Sequence, residues 1–341
     1  MLGIGIIGLG GIGRYHLTRY RQVPEAQVVA VADVRAETLR ADRSLDDLFE
    51  VPPATVRWHR DYRDLIASDA VDAVDICLPT DLHRPAALAA LKAGLHVLVE
   101  KPLALTLADC DAMLQTARQP GQVFMVAHCI RFWPEYQYLA DLVQGGEAGQ
   151  LLALQLSRQG SRPGGINAGW MSQASRSGGA ILDLHIHDVD FCRYLLGLPR
   201  RVYAQGGQSV GPNAGYDYVL ANLDYGDGRQ ISATAHWTDV PLPFAARFEA
   251  RLERAFLRFD SSQKPTLTVY RPAGAEHPTF PGPDAYVNEI RYFASRVLAK
   301  EAAERCPACE ARDSVGLVLS EMVSIERGEP VDVAEWTDQN G

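Results

Sequence analysis

The stretch that most narrows the fold is Gly8-Leu9-Gly10-Gly11-Ile12-Gly13. It follows a short β-branched run, Ile4 to Ile7, and opens a helical pattern that continues through Arg14-Tyr15-His16-Leu17. In a G-x-G-x-x-G loop between strand and helix, Gly8 permits the tight turn and Gly10 lets the backbone approach a pyrophosphate. Gly13 allows the helix to pack close to the strand. The amides of Gly11 and Ile12, at the helix N-terminus, then face the anion. Asp33, twenty residues beyond Gly13, closes the run Val28-Val29-Ala30-Val31-Ala32. A carboxylate at that strand end accepts hydrogen bonds from the adenosine ribose and repels a 2′-phosphate, which favours NAD. Arg35, two residues on, is able to accommodate that phosphate and leaves NADP open. A competing reading makes Asp33 only a helix cap.

Strand and helix signals go on alternating. Strands are expected at Thr55–Trp58, Val71–Cys77, His96–Glu100 and Val123–Ala127. Helices are expected at Asp61–Ala67, Pro85–Ala93 and Leu107–Arg118. Sequential crossovers of this kind give a doubly wound parallel sheet, a Rossmann α/β fold. The fifth strand, His96-Val97-Leu98-Val99-Glu100, ends abruptly on Lys101-Pro102. Ligands bind outside the carboxyl ends of strands in such sheets, so a lysine there is placed to touch one. An isolated Glu-Lys-Pro is more often a surface ion pair at a strand end.

At 341 residues there is chain for about two domains. Net charge is -9, with no basic run, which argues against nucleic acid and anionic membranes as partners. No apolar stretch approaches the roughly 18 residues of a membrane span. The start, Met1-Leu2-Gly3-Ile4, has no basic segment before its apolar run, so no signal peptide is expected and the cytoplasm is the expected compartment. Cys306-Pro307-Ala308-Cys309 is a single CxxC without the second pair a zinc ribbon needs.

After Gly149 the pattern changes. Leu152, Leu154 and Leu156 alternate with small or polar residues. Asp217–Tyr225 and Arg229–Trp237 flank a Gly226-Asp227-Gly228 turn, and Ala245–Glu253, Ala255–Asp260 and Thr266–Tyr270 read as further strands. Closely spaced strands with short turns indicate a mostly antiparallel, open-faced sheet in an α+β C-terminal domain. Gln159–Gln173 reads as a long loop, and Asn288–Lys300 and Cys309–Gly328 as amphipathic helices, the C-terminal ones bracing the first domain. The expected domains are 1–127 and 128–341.

The second chemical stretch is Ser177-Gly178-Gly179-Ala180-Ile181-Leu182-Asp183-Leu184-His185-Ile186-His187-Asp188-Val189-Asp190. Read as a helix, it puts Asp183 and His187 on one face, four apart. A carboxylate beside an imidazole fixes its tautomer and stabilises the charged ring, which a general base acting on an alcohol requires. His185 points elsewhere, and residues two apart do not face each other, so no metal site is expected.

Taken together, the glycine loop, Asp33, Pro79-Thr80-Asp81-Leu82-His83, Ala93-Gly94-Leu95-His96-Val97-Leu98-Val99-Glu100-Lys101-Pro102, Arg131-Phe132-Trp133-Pro134 and the Gly178–Asp190 stretch carry a resemblance. From about residue 2 to about residue 332 the chain resembles the glucose–fructose oxidoreductase / inositol dehydrogenase / rhizopine-catabolism (Gfo/Idh/MocA) oxidoreductase family. The resemblance implies an NAD(P)-dependent oxidoreductase acting on a carbinol carbon of a sugar, cyclic polyol or sugar derivative. It implies Lys101, Asp183 and His187 as catalytic residues that also bind substrate, with Trp170 beside them. Pro79, Thr80, His83 and Glu100 fall on the cofactor side, with Glu100 touching the nicotinamide ribose or orienting Lys101. It also implies homodimers or homotetramers joined through the open sheet face. His185 departs from the family pattern, which often has a small residue there. Two other readings stay open: a non-catalytic dinucleotide- or sugar-binding regulator, and a glycosidase that oxidises its substrate transiently with bound NAD.

Overall fold

The computed structural model describes residues 1–49, 53–117, 120–164 and 168–340. The chain divides into two compact units. The first comprises Met1–Cys129 and Pro283–Arg312, and the second comprises Ile130–Gly164, Ala168–Gly282 and Asp313–Gly341.

The first unit is built on a six-stranded parallel sheet: β1 (Leu2–Ile7), β2 (Ala26–Ala32), β3 (Arg57–His59), β4 (Ala73–Ile76), β5 (His96–Glu100) and β6 (Phe124–Ala127). Their order is β3-β2-β1-β4-β5-β6, so the winding reverses between β1 and β4. The expected strands and helices are all present, with ends shifted by a few residues. Helix Leu107–Thr116 stops before Arg118, which lies outside the described residues. The strands are apolar because both faces are covered, and Ile4, Ile6, Val74, Val97 and Val99 are fully buried. Helix Ala285–Ala299 folds into this unit, with Tyr286 packed edge-on against Tyr15 of helix Gly11–Tyr20.

Around the second unit's sheet the strands are β7 (Leu151–Ser161), β8 (Arg201–Gly207), β9 (Tyr218–Asp224), β10 (Gln230–Thr238), β11 (Ala245–Leu252), β12 (Phe256–Asp260), β13 (Leu267–Arg271), β14 (Gly274–Glu276) and β15 (Val331–Asp332). They run β14-β13-β12-β11-β7-β10-β9-β8-β15, antiparallel except that β10 pairs with β7 in parallel, Ile231 opposite Leu154. Short-turn patterning detects hairpins and says nothing of this non-local pair. The central strand β10 has one buried face: Ile231, Ala233, Ala235 and Trp237 are inside, while Gln230 and His236 are outside. The expected Gln159–Gln173 loop is shorter than the sequence suggests. β7 continues to Ser161 and a helical turn occupies Ala168–Met171, while residues 165–167 lie outside the described segments. Among the described residues no helix is long and apolar enough to cross a membrane.

Where β1 meets the first helix, a side chain has no room. A Cβ on Gly13 would fall inside contact distance of the Gly8 carbonyl oxygen and 3.2 Å from Cys77 Cβ. Gly8 itself has φ +97°, a left-handed conformation that glycine adopts without strain. Gly13→Ala is therefore expected to lower unfolding stability by about 2 kcal/mol, as overpacking against backbone does, and to weaken dinucleotide binding. Urea unfolding and calorimetric titration check both; an unchanged midpoint refutes the close-approach argument.

Candidate active site

Four loops gather at the carboxyl edge of the first sheet. After β1 comes the glycine loop. Gly10 precedes helix Gly11–Tyr20 with no side chain capping the N-terminus, Gly11 is exposed and Ile12 half-buried. The first amides of a helix have no intrahelical partner, so they are available to an anion. After β2 stands Asp33, nine-tenths buried. After β4, Thr80 is buried and Pro79 half-buried. After β5, Glu100 is buried and Lys101 half-buried. The residues therefore fit a dinucleotide: bare helix amides for the pyrophosphate and an acid one strand over for the ribose.

Asp33 and Arg35, expected to discriminate between cofactors, are bound to each other. Arg35 Nε and NH2 donate to the two carboxylate oxygens at 2.9 Å, and the Arg35 and Leu9 amides each donate at 2.9 Å. Burial alone would raise the Asp33 pKa, but these donors outweigh it and hold the carboxyl below its ordinary range. The helix-cap reading fails: helix Ala36–Ala41 begins after Arg35 and has no side-chain cap. His83 is buried, with Nδ1 2.9 Å from the Pro102 carbonyl and Nε2 2.9 Å from that of Leu78, so it ties the loop after β4 to the loop after β5.

Beneath this edge lies a polar cluster that the sequence reading missed. His16, on the buried face of the first helix, has Nδ1 2.9 Å from Asp75 Oδ2 and Nε2 3.1 Å from Glu100 Oε1. Tyr20 donates to Asp75 at 3.1 Å. Burial opposes charge on His16, yet Asp75 with Cys77 outweighs it and lifts the imidazole pKa well above its usual range. Glu289, from helix Ala285–Ala299, is fully buried, and neither oxygen has a hydrogen-bond partner among the described residues. Burial, reinforced by the Glu100 charge, pushes its pKa well up.

In the second unit, Gly178 and Gly179 adopt φ of +79° and +73°, and the Ala180 amide then donates to the Tyr216 carbonyl at 3.0 Å. From there the chain is not regular α-helix. Ile181–His185 forms a π-helical turn, and the α-helix runs Ile186–Leu196. Such widened turns occur often at functional sites. Asp183 is nine-tenths buried, His187 is half-buried, and Trp170 is half-buried on its own short turn.

The other polar residues of this stretch go elsewhere. His185 Nε2 meets Glu321 Oε2 at 3.0 Å, both fully buried. Asp188 accepts from Arg158 at 2.9 Å. Asp190 accepts from Arg131 Nε at 2.9 Å and NH2 at 2.7 Å, and from Ser314 at 2.7 Å. Arg131 thus claims Asp190 through both of its carboxylate oxygens. The three pairs also disperse what looked like a ligand-rich run. Among the described residues the one group spaced for a metal is His16, Asp75 and Cys77, already joined by hydrogen bonds. A buried helix with this many acids needs guanidinium partners, and that was the available signal for Arg131 and Arg158.

This fold and edge define a dinucleotide-binding α/β protein with a second, sheet-bearing unit. Residues 2–128 match the oxidoreductase family with an NAD-binding Rossmann fold, and residues 136–257 match the GFO/IDH/MocA C-terminal domain. The chain belongs to the Gfo/Idh/MocA oxidoreductase family. It is 32% identical over 230 residues to myo-inositol 2-dehydrogenase of Thermotoga maritima, covering 66% of this chain and 65% of that one. It is 28% identical to D-xylose 1-dehydrogenase (NADP(+)) 2 of Haloferax volcanii, covering 92% and 93%. The chain spans 58% to 65% of the length of the first curated relatives it matches. Levoglucosan dehydrogenase in complex with NADH and levoglucosan superimposes with TM-score 0.85 at 22% identity over 97% of this chain and 99% of that one, a likeness of fold.

Two substitutions separate structural from functional acids. Asp190→Asn leaves the fully buried Arg131 charge without its counter-ion and is expected to cost about 3–5 kcal/mol; a loss below 1 kcal/mol in urea unfolding contradicts the pairing. Glu289→Gln is expected to stabilise. The Glu289 pKa is raised in the folded state, so above about pH 4.5 folding must take up a proton, and that cost grows by about 1.4 kcal/mol per pH unit until the folded-state pKa is reached. The gain should be larger at pH 7 than at pH 5; equal gains at both rule out a buried protonated carboxyl.

Proposed function

We propose that the protein is an NAD-dependent dehydrogenase of a sugar, cyclic polyol or sugar derivative. The observation that carries this reading is Lys101 at the carboxyl end of β5, on the sheet edge that also presents the glycine loop and Asp33. The nicotinamide ring, when bound, accepts the hydride from the carbinol carbon. The amides of Gly11 and Ile12 hold the pyrophosphate, with Gly8, Gly10 and Gly13 clearing the space for it, and Pro79, Thr80 and His83 shape the neighbouring loop. Asp33 receives the adenosine ribose hydroxyls. A 2′-phosphate would have to draw Arg35 off both oxygens of Asp33, which favours NAD over NADP. Glu100 faces inward and orients Lys101 rather than touching the ribose.

His187, its tautomer held by Asp183, takes the hydroxyl proton. Lys101 donates a hydrogen bond to the alcohol oxygen and stabilises its developing negative charge. Trp170 gives the substrate an apolar face. The relatives named for inositol and xylose support a polyhydroxylated substrate. We further propose a cytoplasmic homodimer or homotetramer, joined through the open sheet face that exposes Leu152, Tyr218, Leu220 and Tyr270.

A panel of inositols, aldoses and sugar acids, screened with NAD and with NADP, tests the reading. Reduced cofactor is expected to accumulate with at least one polyol, faster with NAD, and Lys101→Ala is expected to lower kcat by about 10²-fold or more. Glycoside cleavage without accumulation points to transient oxidation instead. A Lys101→Ala protein that binds NAD and turns over at the wild-type rate overturns the assignment.

A further inference from the structure

We propose that His16 is a positioning residue: clamped between Asp75 and Glu100, it fixes the Glu100 carboxylate against the Lys101 amide and so sets how Lys101 leaves the strand. The proposal rests on the reading of Lys101 as the residue that meets substrate.

The geometry is a chain of four residues within the first unit, Asp75, His16, Glu100 and Lys101. Asp75, in the middle of the sheet on β4, is fully buried and accepts from three side chains: His16 Nδ1 at 2.9 Å, Tyr20 at 3.1 Å and Cys77 at 3.3 Å. His16 is fully buried, and its other nitrogen lies 3.1 Å from Glu100 Oε1, within ion-pair distance though not aligned as a hydrogen bond. The second Glu100 oxygen accepts from the Lys101 backbone amide at 3.1 Å. Each carboxylate oxygen of Glu100 thus has one neighbour, the buried ring on one side and the lysine's own backbone on the other. Three rotatable bonds set the position of the Glu100 carboxylate, and the neighbouring ring restricts their freedom. In a chain with 33 Lys and Arg residues, lysine stands only at 92, 101, 264 and 300, so position 101 is one of few where the cation is an ammonium.

Charge makes the clamp selective. The groups facing the ring are Asp75 and Cys77 from β4 and its end, Glu100 from β5, and Tyr286 and Glu289 from helix Ala285–Ala299, with the Tyr286 ring edge-on at 5.7 Å. Burial disfavours charge on Glu289, and the carboxylates of Asp75 and Glu100 each face one ring nitrogen, so both are best satisfied when the imidazole holds a proton on both nitrogens. A neutral ring has one proton and serves only one of them. Deprotonating His16 should therefore release Glu100, and with it the Lys101 amide.

NMR on the whole protein, free of substrate and of NAD, tests this without relying on turnover. In histidine-¹⁵N-labelled wild type, the His16 ring is expected to show both nitrogens protonated at pH 7.5, and the Lys101 amide signal to shift with the same midpoint as that ring. In His16→Gln, the Lys101 amide is expected to exchange with solvent at least tenfold faster, while the Val97 amide, which pairs with Val123, keeps its protection. Glu100→Gln should reproduce the Lys101 effect, and combining the two should add nothing. A His16 ring neutral at pH 7.5, or a Lys101 amide indifferent to its titration, overturns the proposal. The wild-type titration decides the matter even where a variant fails to fold. Coupling between His16 and the Lys101 amide, found together with a dispensable Lys101 in turnover, would leave the clamp standing and remove the dehydrogenase reading.

Discussion

The first unit depends on one close approach. The helix that starts at Gly11 can lie on β1 only because Gly13 presents no side chain to the Gly8 carbonyl. That proximity aims the helix amides at the sheet edge, and it also delivers His16, one turn further on, into the interior between β4 and β5. A single steric constraint thereby connects the phosphate-binding geometry to the electrostatics under Lys101.

Each unit then solves the same problem, the burial of acids, in its own way. In the second unit Asp188 and Asp190 are held by arginines in near-bidentate geometry. Neither acid is left over for chemistry. In the first unit Asp75 and Glu100 share one histidine, and burial disfavours charge on Glu289. A buried charge stripped of its partner costs far more than the pair contributes, so these pairings constrain the backbone as firmly as apolar packing does.

Much of this was legible in the sequence. Apolar runs of strand length separated by helix signals give the parallel sheet, and glycine spacing locates the anion loop. The turn that carries Asp183 is π-helical, which a residue pattern cannot distinguish from an α turn. What escaped was whatever depends on a partner distant in sequence. The parallel pairing of β7 with β10 is one case, and the attachment of Asp190 to Arg131 is another. His16 looked like any residue of a helix. The clue lay elsewhere, in Asp75 standing inside the apolar strand Ala73-Val74-Asp75-Ile76: an acid there demands a donor, though nothing local says which.

The two kinds of pairing differ in permanence. Guanidinium groups keep their charge throughout the range in which proteins stay folded, so the Asp188 and Asp190 attachments are indifferent to alkalinity. An imidazole is not, however strongly its surroundings favour the proton. The stability His16 contributes is complete below the ordinary imidazole range and is lost as pH climbs through its raised folded-state value. Rising pH thus loosens the His16 attachments of the nucleotide-side unit, while the arginine attachments of Asp188 and Asp190 hold.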